Sequence, residues 1–180
     1  MPDQIDLDRV KKELPHFPED VIQIWLSTFV KRFGWPPYIH PGWRNVLKGS
    51  KDLEFLHSLQ DWKIVELEID PAKFSSRDQE ILVGMYRTHV LGHTTAFSLM
   101  SDGRDRFDSI VNYMKENGTF PCPIVLAAHE DTYDILDGYH RMTAMMYLYG
   151  FFKGSDPNSL ALNVPIRQPA WICHPSAVWW

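Results

Sequence analysis

The run from Tyr133 to Arg141 ends an apolar segment with a carboxylate, a phenol, an imidazole and a guanidinium inside five residues: Asp137, Tyr139, His140 and Arg141, with Gly138 between the first two. An apolar segment broken by Asp137-Gly138 reads as a strand that turns sharply into a helix, and glycine frees the backbone for that turn. The first N–H groups of a helix have no internal partner and lie at the positive end of its dipole. Gly138, Tyr139, His140 and Arg141 in such a turn suit an oxyanion, most simply a phosphate. Asp137, on the strand end, could bind Mg²⁺ beside the phosphate or orient a hydroxyl nucleophile. A plainer account is also open, in which Asp137 caps the helix and His140 and Arg141 are surface residues.

The elements that must position these residues follow from patterning. Pro123 to Ala127 and Tyr133 to Leu136 read as two strands joined at Asp131-Thr132, and Tyr139 to Tyr149 as an apolar-rich helix ended by Gly150. Upstream, Pro18-Glu19-Asp20 opens a helix carrying Val21, Ile24, Trp25 and Phe29, and Gly34 ends it. A second helix is expected over Trp43 to Leu59. Lys63 to Ile69 reads as a strand from its alternation, closed by Asp70-Pro71. Ser75-Ser76 caps a helix expected from about 78 to 100, and a further helix bears Phe107, Ile110, Val111 and Met114 with Gly118 as its stop. Further strands are expected near 162–166 and Trp171-Ile172. Strands mixed with helices in one chain of 180 residues give an α+β fold. Residues 1–61 read as an N-terminal helical extension packed on a core of 62–180.

Other constellations carry less. His89 and His93 stand four apart on an expected helix, but no third ligand is in view and packing or surface roles are commoner. Arg87, on the same helix, could reach a phosphate. Cys122 and Cys173 are too few for a disulfide framework and read as buried thiols. Trp35, Tyr38, Trp43 and Trp62 could stack on a base or, more simply, form the core of a helical cap. Trp179-Trp180 is expected to dock onto the domain or a partner.

Composition excludes several classes. A net charge of −5 disfavours a free-standing DNA-binding domain. No stretch reaches the roughly 20 apolar residues that span a bilayer, and the N-terminus has no apolar leader. A cytoplasmic protein without membrane association is the expectation, and a homodimer is compatible with it.

The segment Pro-Ile-Val-Leu, a short gap, then Tyr-Asp-Ile-Leu-Asp-Gly-Tyr-His-Arg-Met-Thr-Ala resembles the signature of the ParB/sulfiredoxin superfamily over about Pro121 to Gly150. In that superfamily a strand, a short Gly-x-His-Arg turn and an Ala-rich helix form a nucleotide-phosphate pocket. The resemblance therefore implies a ParB/sulfiredoxin-like domain with a small mixed sheet that binds a nucleotide, ATP or ADP, with Mg²⁺. Sulfiredoxins carry a reactive cysteine before the His-Arg pair, where this chain has Tyr139. Partition proteins append DNA-binding and dimerisation regions, for which the chain after Trp171 leaves no room. Free-serine kinases of the superfamily have a similar Asp-Gly-His-His-Arg run and a catalytic glutamate shortly after the first strand. The comparable stretch here, Asp70 to Glu80, offers Asp78 and Glu80, with Glu68 behind them, unless these are simply first-turn acids of a helix.

The resulting expectation is nucleotide-dependent phosphoryl transfer or hydrolysis with a small hydroxylated metabolite as acceptor. Gly138, Tyr139, His140 and Arg141 hold the phosphates, Asp137 binds Mg²⁺ or orients the nucleophile, and Asp78 or Glu80 takes its proton. The alternatives are a non-catalytic nucleotide sensor and, third, a ParB-like nuclease.

Overall fold

A computed structural model of the protein describes residues 2–37, 40–44, 46–47, 53–99, 102–150 and 167–176. Its N-terminal third is helical. α1 spans Pro2–Glu13, and α2 (Glu19–Val21) opens after Pro18 with Glu19 and Asp20 in its first turn, where acids complement the dipole. The chain then widens into a π-helical turn over Ile22–Leu26 before resuming as α3 (Ser27–Phe33), which Gly34 ends at φ 74°. Of the helix expected over Trp43 to Leu59, residues 45 and 48–52 lie outside the described residues, and the described ones are not one continuous helix. Trp43 closes a 3₁₀ turn (Pro41–Trp43), and α4 is confined to Glu54–Ser58.

Strand β1 runs Leu59–Glu68, so the expected boundary between residues 61 and 62 falls inside it. Asp70 caps a 3₁₀ turn by accepting from Ala72 N–H at 3.0 Å, and Ser75 Oγ caps α5 by accepting from Asp78 N–H at 3.3 Å. α5 spans Ser76–His89, shorter than the helix expected to about residue 100. The chain turns through Gly92 and re-forms a 3₁₀ turn at Ala96–Leu99. α6 (Gly103–Asn117) stops at Gly118 in the left-handed conformation, as its sequence requires. β2 (Ile124–Ala128), β3 (Tyr133–Asp137) and α7 (Tyr139–Leu148) follow, and β4 covers Arg167–Pro175. The strand expected at 162–166 and the Trp179-Trp180 pair lie outside the described residues.

The four strands form one mixed sheet in the order β1-β4-β2-β3. β4 is antiparallel to β1 and parallel to β2, and β2 is antiparallel to β3. Both faces are covered, as the alternation along β2 reveals. Val125 and Ala127 pack with Trp25, Leu26, Trp43 and Phe55 from the N-terminal helices. Ile124 and Leu126 pack with Phe107, Met114, Met142 and Met145 from α6 and α7. The result is an α+β three-layer arrangement in which the N-terminal helices are one full layer and share its core. Burying a large apolar side chain contributes roughly 1.5–3 kcal/mol, so neither helical layer can be removed cheaply. Gln168, fully buried on β4, accepts from Phe120 N–H at 2.8 Å and donates to the Gly118 carbonyl at 3.3 Å, tying the sheet to the end of α6. Among the described residues no helix is long and apolar enough to cross a membrane.

Candidate functional site

β3 is an edge strand, and its last residue, Asp137, meets α7 through Gly138 at φ 115°. A Cβ on Gly138 would lie 2.6 Å from Ile124 Cγ2, so the turn is pressed against the neighbouring strand and only glycine fits. Gly138 is also the N-cap of α7 and brings no side-chain oxygen to the first-turn N–H groups. That helix start opens on a cleft of about 450 Å³ between the two helical layers. Gly138, Tyr139, His140 and Arg141 all line it, as does Asp137. The five residues that the sequence singles out are therefore brought to one cavity.

Their electrostatics differ from a simple array of free donors. Arg141 Nη2 donates to Asp137 Oδ2 at 2.5 Å, an i,i+4 pair with both side chains partly buried. Its Nη1 donates to Cys122 Sγ at 2.9 Å, and its Nε is buried without a partner among the described residues. Cys122 is thus half-buried against Arg141, not sealed in the core. Burial pushes its thiol up from the ordinary range and the neighbouring guanidinium pulls it back. Cys173 is the buried thiol the sequence suggests.

His140 is 9% exposed, and burial, reinforced by Arg106 and His89, pushes its imidazole down to about 4. It is neutral at pH 7 and adds a polar nitrogen, not a charge. Its ring centroid lies 5.4 Å from that of His89, which is also buried and whose imidazole desolvation pushes down from its ordinary value. Neither Nε2 has a partner among the described residues. The i,i+4 metal pair of His89 and His93 does not form, because α5 ends at His89 and His93 is exposed in the following turn.

Tyr139 and Asp78 form the underside of the site. Asp78, 1% exposed, accepts from the Tyr139 hydroxyl at 2.6 Å and from Ile135 N–H at 2.7 Å. Burial and that carboxylate push the phenol far above its usual range, so Tyr139 stays a donor. Asp78 therefore acts on the site by locking the start of α5 to β3 and α7. Glu80 is exposed two residues further along α5, and neither acid lines the cleft. Arg87 is likewise exposed and away from it. Among the described residues no group of three or more His, Cys, Asp or Glu side chains could hold a metal ion. Mg²⁺ commonly binds through one or two carboxylates plus substrate phosphates. Among the described residues lining the cleft Asp137 is the one carboxylate, which fits that limited role.

Sequence patterning misses four important wall residues. Arg77 and Arg106 add two guanidiniums to that of Arg141, and Trp25 and Phe29 come from the N-terminal layer. They are scattered between residues 25 and 106, on three helices, so no local pattern could have grouped them with the turn at residue 138. Trp35 and Trp43, at 4% and 0% exposed, belong to the core, while Tyr38 lies outside the described residues.

No protein-family model, curated protein or solved structure matches this chain.

Proposed function

We propose that the cleft binds the phosphates of a nucleotide and that the protein transfers a phosphoryl group to a small hydroxylated metabolite. One observation carries this reading: Arg77, Arg106 and Arg141 converge with the uncapped start of α7 on a single cleft that also holds a carboxylate. Three guanidiniums around one cavity invite an anion of several charges, since Arg matches phosphate geometry with paired donors. The likeness of Pro121 to Gly150 to the ParB/sulfiredoxin superfamily supports the same reading, and with it a ParB/sulfiredoxin-like nucleotide-binding core.

The Asp137–Arg141 pair is then the resting arrangement. Phosphate oxygens compete with Asp137 for the guanidinium, and the displaced carboxylate becomes available to the acceptor. Asp137 takes the acceptor's hydroxyl proton as the new O–P bond forms, the bond to the leaving nucleotide breaks, and the arginines carry the charge left on it. Mg²⁺, when bound, would supply further neutralisation of the phosphates. Asp78 and Glu80 have no part in proton transfer in this scheme. The engagement of Asp137 by Arg141 also favours a second reading, a nucleotide sensor that binds without turnover.

Thermal shift with ATP, ADP, CTP and GTP, each with and without Mg²⁺, tests the site. Ligand at 100 times its dissociation constant adds about 2.7 kcal/mol, several degrees for a domain of this size. A nucleotide-specific shift that disappears in Arg141→Ala is expected, and no shift with any nucleotide overturns the reading. Conversion of nucleoside triphosphate to nucleoside diphosphate in the presence of candidate acceptors separates the enzyme from the sensor.

A further inference from the structure

The cleft is lined by two chemically distinct sets of side chains. One is the arginines described above. The other is Trp25, Phe29 and Phe97, with Met85 and Ile110. We infer that this second set receives the nucleobase of the phosphate-bearing ligand, and that Trp25 is its specificity-determining residue, donating its indole N–H to an acceptor on the ring. The inference rests on the phosphate reading of the arginines.

Three observations lead to it. Trp25 is 2% exposed, yet its Nε1 is buried without a hydrogen-bond partner among the described residues. An indole N–H buried with no acceptor is costly, and proteins rarely leave one so without a reason. Secondly, Trp25 stands in the π-helical turn Ile22–Leu26, an interruption of an otherwise α-helical stretch. Such insertions rotate the following side chains out of register and recur at functional positions. Thirdly, the remaining aromatic walls are braced. The Phe29 ring centroid lies 5.5 Å from that of buried Trp43. Phe97 packs so closely on α5 that a Cβ on Gly84 would come within 2.6 Å of its ring. Rigid aromatic faces favour a flat ring, on which stacking is effective for any base.

The chemistry of the two sets selects the occupant. An acyl chain would satisfy the aromatic and apolar side chains but offers nothing to the Trp25 N–H. Inorganic phosphate would satisfy the arginines and leave the aromatic rings bare. A base joined to a polyphosphate matches both sets at once, and the volume of about 450 Å³ lies in the range of small-ligand sites.

The test compares ligands with and without the ring on the full chain. Calorimetric titration with tripolyphosphate reads the arginines alone, and titration with ATP, GTP, CTP and UTP reads the arginines and the aromatic side chains together. At least one nucleotide is expected to bind about tenfold or more tightly than tripolyphosphate. Trp25→Phe keeps the ring and removes the donor. It is expected to weaken the preferred nucleotide about fivefold and leave tripolyphosphate unchanged. Phe97→Ala, on a half-buried position, is expected to weaken the nucleotide about tenfold with the same indifference to tripolyphosphate, and decides the matter if Trp25→Phe does not fold. Tripolyphosphate binding as tightly as every nucleotide overturns the inference and leaves the phosphate site standing, and so does an equal loss of both ligands in the variants. Binding of neither ligand to the wild-type protein removes the phosphate reading, and this inference with it.

Discussion

The Tyr139 hydroxyl donates to Asp78 Oδ1 at 2.6 Å, joining the first turn of α7 to the first turn of α5 across 61 positions of sequence. The second oxygen of Asp78 accepts from Ile135 N–H, so a single buried carboxylate holds an edge strand and two helix starts in register. The candidate cleft is built on that junction.

Asp78 is accordingly expected to matter for stability before it matters for chemistry. Asp78→Ala leaves a backbone N–H and a phenol without an acceptor in a buried setting, at about 1–3 kcal/mol for each stranded group. Tyr139→Phe removes one bond and should cost about 1–2 kcal/mol. Urea unfolding of the two single variants and the double variant checks this. Because the groups touch, the double variant should lose less than the sum of the singles.

Gly138 and Gly92 make a matched pair of left-handed glycines. Gly92, at φ 69°, has no atom within 4 Å of a built Cβ, so Gly92→Ala should cost only the conformational penalty of about 1–2 kcal/mol. Gly138→Ala meets Ile124 at 2.6 Å in addition to an unfavourable φ of 115°. It should cost about 3 kcal/mol or more, by the same unfolding measurement. Equal losses at the two sites would show that the turn relaxes away from β2.

The neutral, buried His140 makes stability pH-dependent. Its imidazole titrates near 4 in the folded protein, against an ordinary value of 6.5, so the unfolded chain binds the extra proton between these limits. Stability is therefore fully present above pH 6.5 and falls as the pH drops toward 4, by up to about 3 kcal/mol from this residue. His89, shifted in the same direction, adds to the slope. Unfolding curves between pH 4 and 7 are expected to show this fall, and His140→Leu should flatten it. An unchanged slope in the variant would assign the effect to other groups.

Arg106 offers a probe of the cleft that spares the fold. Its side chain is 50% exposed and its partner is Asp102, one turn away on the surface. Such a pair is worth a few tenths of a kcal/mol, so Arg106→Ala should hardly change the melting temperature. Loss of one charge-assisted phosphate contact should nevertheless weaken tripolyphosphate and nucleotide binding about tenfold or more. Calorimetric titration at fixed salt reads this directly. A loss of stability in place of a loss of affinity would take Arg106 out of the site.

The division between what sequence and structure each decide follows the range of the forces involved. The strand ending at Asp137, the turn at Gly138, the helix from Tyr139 and the stops at Gly34 and Gly118 were legible because each depends on residues within a few positions of one another. Periodicity, capping and left-handed glycine act over that distance. The same local rules overextended α5 past His89 and drew one helix across Trp43 to Leu59, where tertiary packing sets the ends. The order β1-β4-β2-β3, the burial of Asp78 beneath Tyr139, the capture of Arg141 by Asp137 and Cys122, and the arrival of Trp25, Arg77 and Arg106 at one cleft belong to the tertiary structure alone. Those relationships join residues tens of positions apart, or turn on which of several partners a side chain meets once water is excluded. The chain thus carries the candidate phosphate turn in five consecutive letters, and only folding decides what surrounds it.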